Sequence, residues 1–368
     1  MSASPLTHRV SRHMIVVATI VGVLCLGPSV RGECSVLSNQ LTIHSTEHGT
    51  ADDFQRQQHD TVPIDTLNGR LRRDEFTYAG WQRYTFLGRT PLRETEIDPI
   101  PTIALAAGYA GFAYGLHVIQ ANAWWADSRG PFHVVEDIEY AKGLDKGGHF
   151  FAAHTMSTLL GDMLMECGFN KEEATLLGGG MGLAYMTYVE VEDGFATKWG
   201  FSPSDAIANS VGVGFYVAQH YVPWLENLTP RWSYVPAQWT GARPINERPA
   251  TFIDDYNSTT FWLAMDVERL LPNGAADIWP DWLMVSVGYG IRNYAVVDGS
   301  GGPQPVNGKF LIGLDYNWLK IIPEARFGFF NYVRFFLNRV RLPGPTLEIS
   351  SEGTRFGLLY PFAIVIPF

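Results

Sequence analysis

Three pairs of polar side chains interrupt otherwise apolar segments at the spacing of an α-helix. The pairs, in chain order, are Asp145 with His149, Glu190 with Asp193, and Asp205 with Asn209. Residues three or four apart share one face of a helix, so each pair can act as a unit. Carboxylates and an imidazole held in an apolar bundle have shifted proton affinities, and they pair with one another or with a cation.

This chemistry suits acid–base catalysis or metal binding. Asp145 is expected to orient His149, while Glu190 or Asp193 acts as acid, base or metal ligand. One histidine among several carboxylates also fits a hard or borderline divalent metal, although the sequence identifies no particular ion. The catalytic candidates are His149, Asp145, Glu190 and Asp193. The supporting candidates are Lys146, Asp205 and Asn209.

The alternative is that these residues only begin and end helices. Asp145 suits an N-cap, Asp205 follows Ser202 as a capping-box acid, and Asp193 precedes a glycine that suits a helix-ending turn. Independent caps, however, have no reason to gather at one end of a bundle. A shared location for all three pairs therefore favours a site.

Four apolar helices are predicted to position the pairs, at about 100–125, 145–167, 171–193 and 203–221. Their connections are short, which favours antiparallel neighbours. The second helix carries its pair at its start, the third at its end and the fourth at its start. An up-down-up arrangement therefore places all three pairs on the same side of the bundle.

Small residues at spacing four predict close contacts between helices. The first helix carries Ala107, Gly111 and Gly115, and the third carries Gly178 and Gly182. Helix starts are indicated by Asn170 with Glu173 and by Ser202 with Pro203. The three histidines at 117, 154 and 220 are interpreted as core or surface residues, outside the site.

The chain beyond about residue 226 has the pattern of strands, at 259–267, 282–290, 309–318 and 355–368. Its last residues resemble the closing strand of outer-membrane barrels, but Pro361 and Pro367 and the small number of strands disfavour a closed barrel. The fold class is therefore α+β: an apolar, Gly-rich bundle of about four helices followed by a small, mainly antiparallel β-sheet with one amphipathic helix.

That amphipathic helix is predicted at 324–340, where arginines alternate with phenylalanines. A basic, aromatic helix suits a membrane interface, and an ordinary helix covering the sheet is the equal alternative. The residues expected at a lipid interface are Arg334, Arg339, Phe335 and Phe336.

The domain organisation follows from these segments. Residues 1–32 read as a signal peptide, because basic residues precede a short apolar run and cleavage is expected near Gly32. An uncleaved anchor is the alternative. Residues 33–98 form a polar, partly disordered leader, 99–225 the helical bundle and 226–368 the β-rich region packed on it. Neither Cys25 nor Cys34 follows a good lipobox, so a lipid anchor is not supported.

The composition points to a membrane or a well-buried core rather than to nucleic acid. Aromatic residues make up 13% and charged residues 17% of the chain, against ~25% charged residues in typical domains. The net charge of −10 disfavours a nucleic-acid partner, which would need a basic face.

Several blocks together resemble a known family. They include "DKGGHFFAAH", "KEEATLLGGGMGLAYMTYVEVEDGFATKWGFSPSDAIANSVG", "RPATFIDDYNSTTFWLAMDV" and "DWLMVSVGYG". In this order they are similar to domain-of-unknown-function family 2279, the predicted periplasmic, YfiM-like lipoproteins of bacteria, over roughly residues 100–365. The resemblance implies an envelope protein of undefined activity, and the missing lipobox is a departure from it.

The expected function is that of an exported, membrane-associated cell-envelope protein of the periplasm or outer membrane, with a polar site at one end of the bundle. One alternative is a metal-assisted or acid–base hydrolase acting on an envelope lipid or glycan. Another is a module that binds anionic lipid. A membrane surface or lipid is the expected partner, a divalent metal is a candidate cofactor, and no protein partner is indicated.

Overall fold

The computed structural model describes residues 69–76, 89–240, 251–296, 302–323, 328–362 and 365–367. The expected signal peptide and most of the expected polar leader lie outside these residues. The described elements form an α+β fold, as the sequence predicts: a bundle of four long helices followed by an antiparallel sheet.

The four long helices lie close to their predicted positions. They are α1 (Pro99–Ala121), α2 (Leu144–Glu166), α3 (Lys171–Phe195) and α4 (Pro203–Tyr221). The predicted caps are confirmed, since Asn170 accepts a hydrogen bond from the Glu173 backbone N–H at 2.9 Å, and Ser202 accepts one from the Asp205 N–H at 3.2 Å. These caps fix where α3 and α4 begin, and so where their polar pairs lie.

Helix α2 lies at the centre of the bundle, in close contact with α3 and α4. A Cβ added at Gly178 of α3 would lie 2.5 Å from the backbone nitrogen of Gly161, and one added at Gly212 of α4 would lie 2.4 Å from the carbonyl oxygen of Phe150. The predicted close packing through the glycines of α3 is confirmed. The same prediction is wrong for α1, where a Cβ at Gly111 or Gly115 would meet nothing within 4 Å.

Helix α1 packs on α3 through a few residues and leaves much of its surface exposed. The Tyr109 hydroxyl donates to the Met181 carbonyl at 2.8 Å, while Ile100 and Ile103 are 76% and 69% exposed. Among the described residues, α1 is the one helix long and apolar enough to cross a membrane by length and composition.

Within the described residues, seven strands form one antiparallel sheet in which neighbours in sequence are neighbours in space. They are β1 (Leu228–Tyr234), β2 (Thr259–Met265), β3 (Leu283–Arg292), β4 (Asn307–Tyr316), β5 (Gly344–Ser350), β6 (Gly353–Tyr360) and β7 (Val365–Pro367). The sequence did not predict β1 and β5, in which Arg231 and Glu348 interrupt the apolar pattern. The predicted strand 355–368 is divided, because β6 ends at Tyr360 and Pro361 follows it.

Shorter elements join these. Helix α5 (Gly328–Leu337) covers part of the predicted amphipathic segment. Single helical turns lie at Arg73–Phe76, Asn273–Ala276 and Trp318–Ile321. Turns of 3-10 helix lie at Tyr140–Gly143, Pro223–Asn227, Ala237–Thr240 and Glu268–Leu270.

The bundle meets the sheet along α2. A Cβ added at Gly147 would lie 3.1 Å from the Phe261 ring of β2, and the rings of Phe151 and Phe261 are 5.8 Å apart. Farther along α2, Arg339 reaches His154, with 3.4 Å between Nη1 and Nδ1. These contacts place the first half of α2 against β2.

The lipid interface predicted on the segment 324–340 needs correction. Arg334 and Arg339 are 4% and 8% exposed, and both guanidinium groups bond inside the protein, to the Leu319 carbonyl and to Thr158. They therefore cannot offer their charge to anionic lipid. Phe335 and Phe336 are half-buried, while Phe329 and Phe330 are the exposed phenylalanines of α5.

Candidate functional site

Three helix ends meet at one place, as the spacing of the polar pairs predicts. Asp145 lies in the first turn of α2 and His149 one turn later. Glu190 lies near the end of α3. Asp205 lies in the first turn of α4, with Asn209 one turn later. The five side chains form one contiguous cluster, called here the helix-end cluster, to which Lys146 also belongs.

His149 is the residue that touches all three helices. Its Nδ1 lies 3.1 Å from Asn209 Oδ1 and 3.3 Å from Glu190 Oε1. Its Nε2 lies 3.5 Å from Asp205 Oδ1 and 3.7 Å from Asp145 Oδ2. One imidazole thus faces three carboxylates, one from each helix.

Lys146 has a larger part in the cluster than the sequence indicates. Its Nζ lies 2.6 Å from Asp137 Oδ1, 2.7 Å from Asp205 Oδ1 and 3.0 Å from Asp145 Oδ2. Those three carboxylates raise the pKa of Lys146 against the effect of burial, so the ammonium stays charged. Lys146 therefore provides a fixed positive charge beside His149.

The carboxylates are not helix caps. The N-cap position of α2 is Gly143, and no side chain bonds the free amides there. The Asp145 carboxylate instead accepts a hydrogen bond from the Tyr256 hydroxyl at 2.6 Å, in addition to its ion pair with Lys146. At α4 the capping oxygen belongs to Ser202, and Asp205 is free to face Lys146 and His149.

Asp193 lies next to the cluster rather than within it. Its carboxylate accepts a hydrogen bond from the Trp125 indole at 2.6 Å. Burial raises the pKa of Asp193 to about 6, against the effects of Trp125 and the charge of His149. The charge of His149 thus affects the pKa of Asp193, although the Asp193 carboxylate is hydrogen-bonded to Trp125, a residue that follows α1.

Three residues of this region were not predicted from the sequence: Asp137, Tyr256 and Trp125. Each lies in an irregular segment, and Asp137 is further held by the Ser202 hydroxyl at 2.6 Å. No helical periodicity marks Asp137 or Tyr256, and Trp125 lies at the end of the first predicted helix. The only available signal was that Tyr256 lies in one of the blocks that carried the family resemblance.

Burial and the neighbouring charges have opposing effects on the pKa values of the residues in the helix-end cluster. Burial raises the pKa of Glu190 to about 8, although the charge of His149 acts against it. Burial likewise raises the pKa of Asp205 to about 6. Asp145 is also desolvated, but His149, Lys146 and Tyr256 outweigh that effect and lower its pKa. Burial alone would lower the pKa of His149, and Asp145, Asp205 and Glu190 reverse this and raise it.

The helix-end cluster is partly open to solvent. The side chains of His149, Asp145 and Lys146 are 18%, 16% and 14% exposed, whereas Asp205 and Glu190 are 7% and 1% exposed. The Asp145 carboxylate and the His149 imidazole are therefore reachable from outside, with the carboxyl groups of Asp205 and Glu190 buried behind them. Such an arrangement can exchange protons with a bound molecule.

The same residues include a candidate metal triad. Ligand atoms of Asp145, His149 and Asp205 all lie within 4.8 Å of one another. A carboxylate–imidazole set of this kind fits a hard or borderline divalent ion. Lys146, however, already bridges both carboxylates, so a metal would have to compete with its ammonium group.

His154 belongs to a separate contact, five residues along α2. Its ring is fully buried, and Nε2 lies 2.9 Å from Gln219 Oε1 of α4. This agrees with its interpretation as a core histidine. His117 pairs with the Tyr188 hydroxyl at 2.6 Å, also away from the cluster.

Comparison with known proteins supports the expected location. Residues 134–220 match the model of domain-of-unknown-function family 2279, described as a predicted periplasmic lipoprotein. This match is shorter than the 100–365 that the sequence blocks indicate, but it contains every helix-borne residue of the cluster. The description agrees with an exported envelope protein. No curated protein and no solved structure matches the chain.

Proposed function

We propose that this exported envelope protein is a hydrolase that uses acid–base chemistry on an envelope lipid or glycan. The observation that carries the proposal is the position of His149, whose ring nitrogens lie between 3.3 and 3.7 Å from carboxylate oxygens of Asp145, Glu190 and Asp205. These distances fall within the range of ion pairs, and direct proton transfer needs them to shorten to about 2.6–3.2 Å, as catalytic contacts commonly do when a substrate binds.

His149 and Asp145 are assigned the direct roles. The surrounding carboxylates raise the pKa of His149 and so favour the imidazolium, which is assigned as general acid. The lowered pKa of Asp145 keeps its carboxylate ionised, so it acts as general base. In a hydrolysis the base removes a proton from the attacking water while the acid protonates the leaving group. Neighbouring groups whose environments separate their pKa values are typical of such pairs.

The remaining members act as positioning residues. Glu190 is almost fully buried and holds the Nδ1 side of the imidazole together with Asn209. Lys146 fixes the carboxylates of Asp145 and Asp205. Asp193, expected as a catalytic residue, is assigned a supporting role because its carboxylate is bonded to Trp125.

The test is a hydrolysis assay combined with a stability measurement. The purified mature protein is screened against chromogenic esters, phosphodiesters and glycosides and against total bacterial envelope lipids. His149→Ala and Asp145→Asn are expected to lose activity by about 10²-fold or more, the usual contribution of an acid or base. Asp162→Asn, a buried carboxylate elsewhere on α2, is the matched control and is expected to remain active.

Two results of this assay would contradict the hydrolase proposal. Failure of the wild-type protein to hydrolyse any class, or full activity in both variants, contradicts the proposal. Loss of thermal stability in both variants together with any cellular phenotype would instead indicate a non-enzymatic protein. The helix-end cluster would then serve only to clamp three helices to the loop that carries Tyr256.

A metal-assisted reaction is the second candidate, favoured by the triad of Asp145, His149 and Asp205. A divalent ion bound there would lower the pKa of a bound water and supply the nucleophile at neutral pH. Elemental analysis of the protein before and after chelator treatment tests this version. A stoichiometric divalent ion supports it, and a fully active protein without metal contradicts it.

Membrane association is part of the proposal, and exposed apolar surface supports it rather than basic residues. Helix α1 has the length and composition of a membrane span. The burial of Arg334 and Arg339 removes the support for an anionic-lipid module on the segment 324–340.

A further inference from the structure

The sheet buries its charged residues on one face and exposes apolar residues on the other, the reverse of the usual arrangement in a water-soluble protein. Alternate residues of a strand point to opposite faces. Six charged residues lie in β1–β6, and the strand register puts all of them on one face, called here the inner face. They are Arg231, Arg292, Lys309, Asp315, Glu348 and Arg355.

The inner face is largely buried, and most of its charged residues form ion pairs. Arg231 and Asp315 are fully buried and 2.8 Å apart, and the Ser286 hydroxyl donates to the same carboxylate at 2.6 Å. Arg292 pairs with the fully buried Glu348 at 2.5 Å. Charged groups are kept out of water only where they are paired in this way. The inner face is therefore the interior of this part of the protein.

The opposite face, called here the outer face, is apolar across the sheet. One register row crosses five strands through Leu263, Val287, Ile312, Leu347 and Phe356. On β4 the alternation is complete: Phe310, Ile312 and Leu314 are 65%, 47% and 38% exposed, whereas the residues between them are buried. No residue of β2–β6 places a charge on this face.

The helical bundle covers only one side of the outer face. Phe261 of β2 packs against α2, and Ile291 at the end of β3 is buried beside Leu144. The surface that remains runs over β3–β6 and includes Val287, Ile349 and Leu358, each between 43% and 53% exposed. Contiguous exposed apolar patches on water-soluble proteins commonly mark interaction sites.

We propose that the outer face of β3–β6 contacts the hydrocarbon of a lipid bilayer. Paired charges inside and apolar side chains outside are the alternation of strands in membranes. Strands β3 and β4 have ten residues each, the length of a tilted strand that spans the hydrocarbon. A docking face for another protein would carry a polar rim with several hydrogen-bonding groups, whereas the polar side chains in the register rows of this face are limited to Tyr289, Tyr316 and Thr354.

The surface also has an aromatic border. Trp282, 41% exposed, stacks on Tyr316 where β3 begins and β4 ends, with ring centroids 6.1 Å apart. Trp224, 47% exposed, precedes β1 at the same end of the sheet. Tryptophan and tyrosine favour the boundary between headgroups and hydrocarbon. The proposal goes beyond the hydrolase assignment and does not depend on it.

Site-directed labelling of the full chain in vesicles of phosphatidylethanolamine and phosphatidylglycerol tests the proposal. Ile312→Cys and Leu358→Cys are labelled with nitrobenzoxadiazole in a Cys25→Ser, Cys34→Ser background, where Cys167 is buried. Asp127→Cys, at an exposed polar loop position, is the matched control. A doxyl-labelled lipid and aqueous iodide are the two quenchers.

Labels at 312 and 358 are expected to be quenched by the doxyl lipid and protected from iodide, with the reverse at 127. Quenching of all three labels by iodide would overturn the proposal, because the face would then lie in water. Protection of 312 and 358 from both quenchers would also overturn it, since a protein, such as a second copy of this chain, would then cover the face.

Discussion

The Nδ1 atom of His149 lies 3.3 Å from Oε1 of Glu190, a carboxyl group that is 1% exposed. The two residues come from different helices and lie 41 positions apart in the sequence. Burial raises the pKa of Glu190 to about 8, while the surrounding carboxylates raise that of His149. The pair therefore holds protons that neither residue would hold to the same extent in water.

Replacing Glu190 should flatten the pH dependence of stability. In the unfolded chain a glutamate titrates near about 4.3, so between that pH and about 8 the folded state keeps a proton that the unfolded state has lost. Stability therefore falls as pH rises through this window. His149, with a raised pKa, contributes stability below about 6.5 that is also lost as pH rises. Urea unfolding from pH 5 to 9 should show a steeper decline in the wild type than in Glu190→Gln.

The control for this measurement is Glu192→Gln, two residues along the same helix, where the carboxylate pairs with Arg129 at 2.5 Å outside the cluster. It should keep the wild-type slope. Equal slopes in the wild type and in Glu190→Gln would show that Glu190 is not held protonated in the folded state.

Removing Lys146 should destabilise the protein and strengthen the binding of divalent ions. Lys146→Gln leaves the carboxylates of Asp137, Asp145 and Asp205 without their cation, which costs up to about 3 kcal/mol because the site is only partly buried. An added divalent ion can then take the vacated position. Thermal unfolding with and without Zn²⁺, Mn²⁺ or Ca²⁺ should show a larger increase in Tm for the variant. A larger increase for the wild type would argue against competition between Lys146 and a metal.

The Tyr256 hydroxyl should contribute to stability through Asp145. It donates to the ionised carboxylate at 2.6 Å, and a hydrogen bond to a charged group contributes about 1.5–3 kcal/mol. Tyr256→Phe is therefore expected to lower the free energy of unfolding by that amount in urea titrations. Tyr114→Phe, at a position 70% exposed, should change it by less than about 0.5 kcal/mol. Similar small effects in both variants would show that the hydrogen bond from Tyr256 to Asp145 does not stabilise the protein.

Alanine substitution should have opposite effects on stability at two glycines of α3. A Cβ at Gly178 would lie 2.5 Å from the backbone of α2, whereas one at Gly180 would meet nothing within 4 Å. Gly178→Ala forces the helices apart and should cost about 1–3 kcal/mol. Gly180→Ala should stabilise the helix by up to about 1 kcal/mol. Chemical denaturation of both variants checks this, and equal tolerance of alanine would contradict the close packing of α2 and α3.

Much of the helical half was predictable from local signals. The caps at Asn170 and Ser202 and the short connections fix where the helices begin and which way they run. The meeting of Asp145, Glu190 and Asp205 follows from these directions. Asp137 and Tyr256 could not be predicted, because their contacts depend on irregular segments that carry no periodicity.

The sheet was harder to predict for a physical reason. The inner face contains Ala264 and Leu311 as well as charged residues, so its strands alternate only partly in hydropathy. The positions of the charged residues were the one pattern that marked the inner face, since Arg231 and Glu348 lie on that face with Asp315. Those charges also hid β1 and β5, because they interrupt the apolar runs that mark strands.

The most direct test of the central claim is an NMR titration of the His149 ring. If the helix-end cluster is one acid–base unit, the imidazole should titrate above the ordinary value of about 6.5. Its pKa should fall in Asp145→Asn and in Asp205→Asn, because each variant removes a charge that stabilises the imidazolium. Titration at or below 6.5 that neither substitution changes would contradict the account.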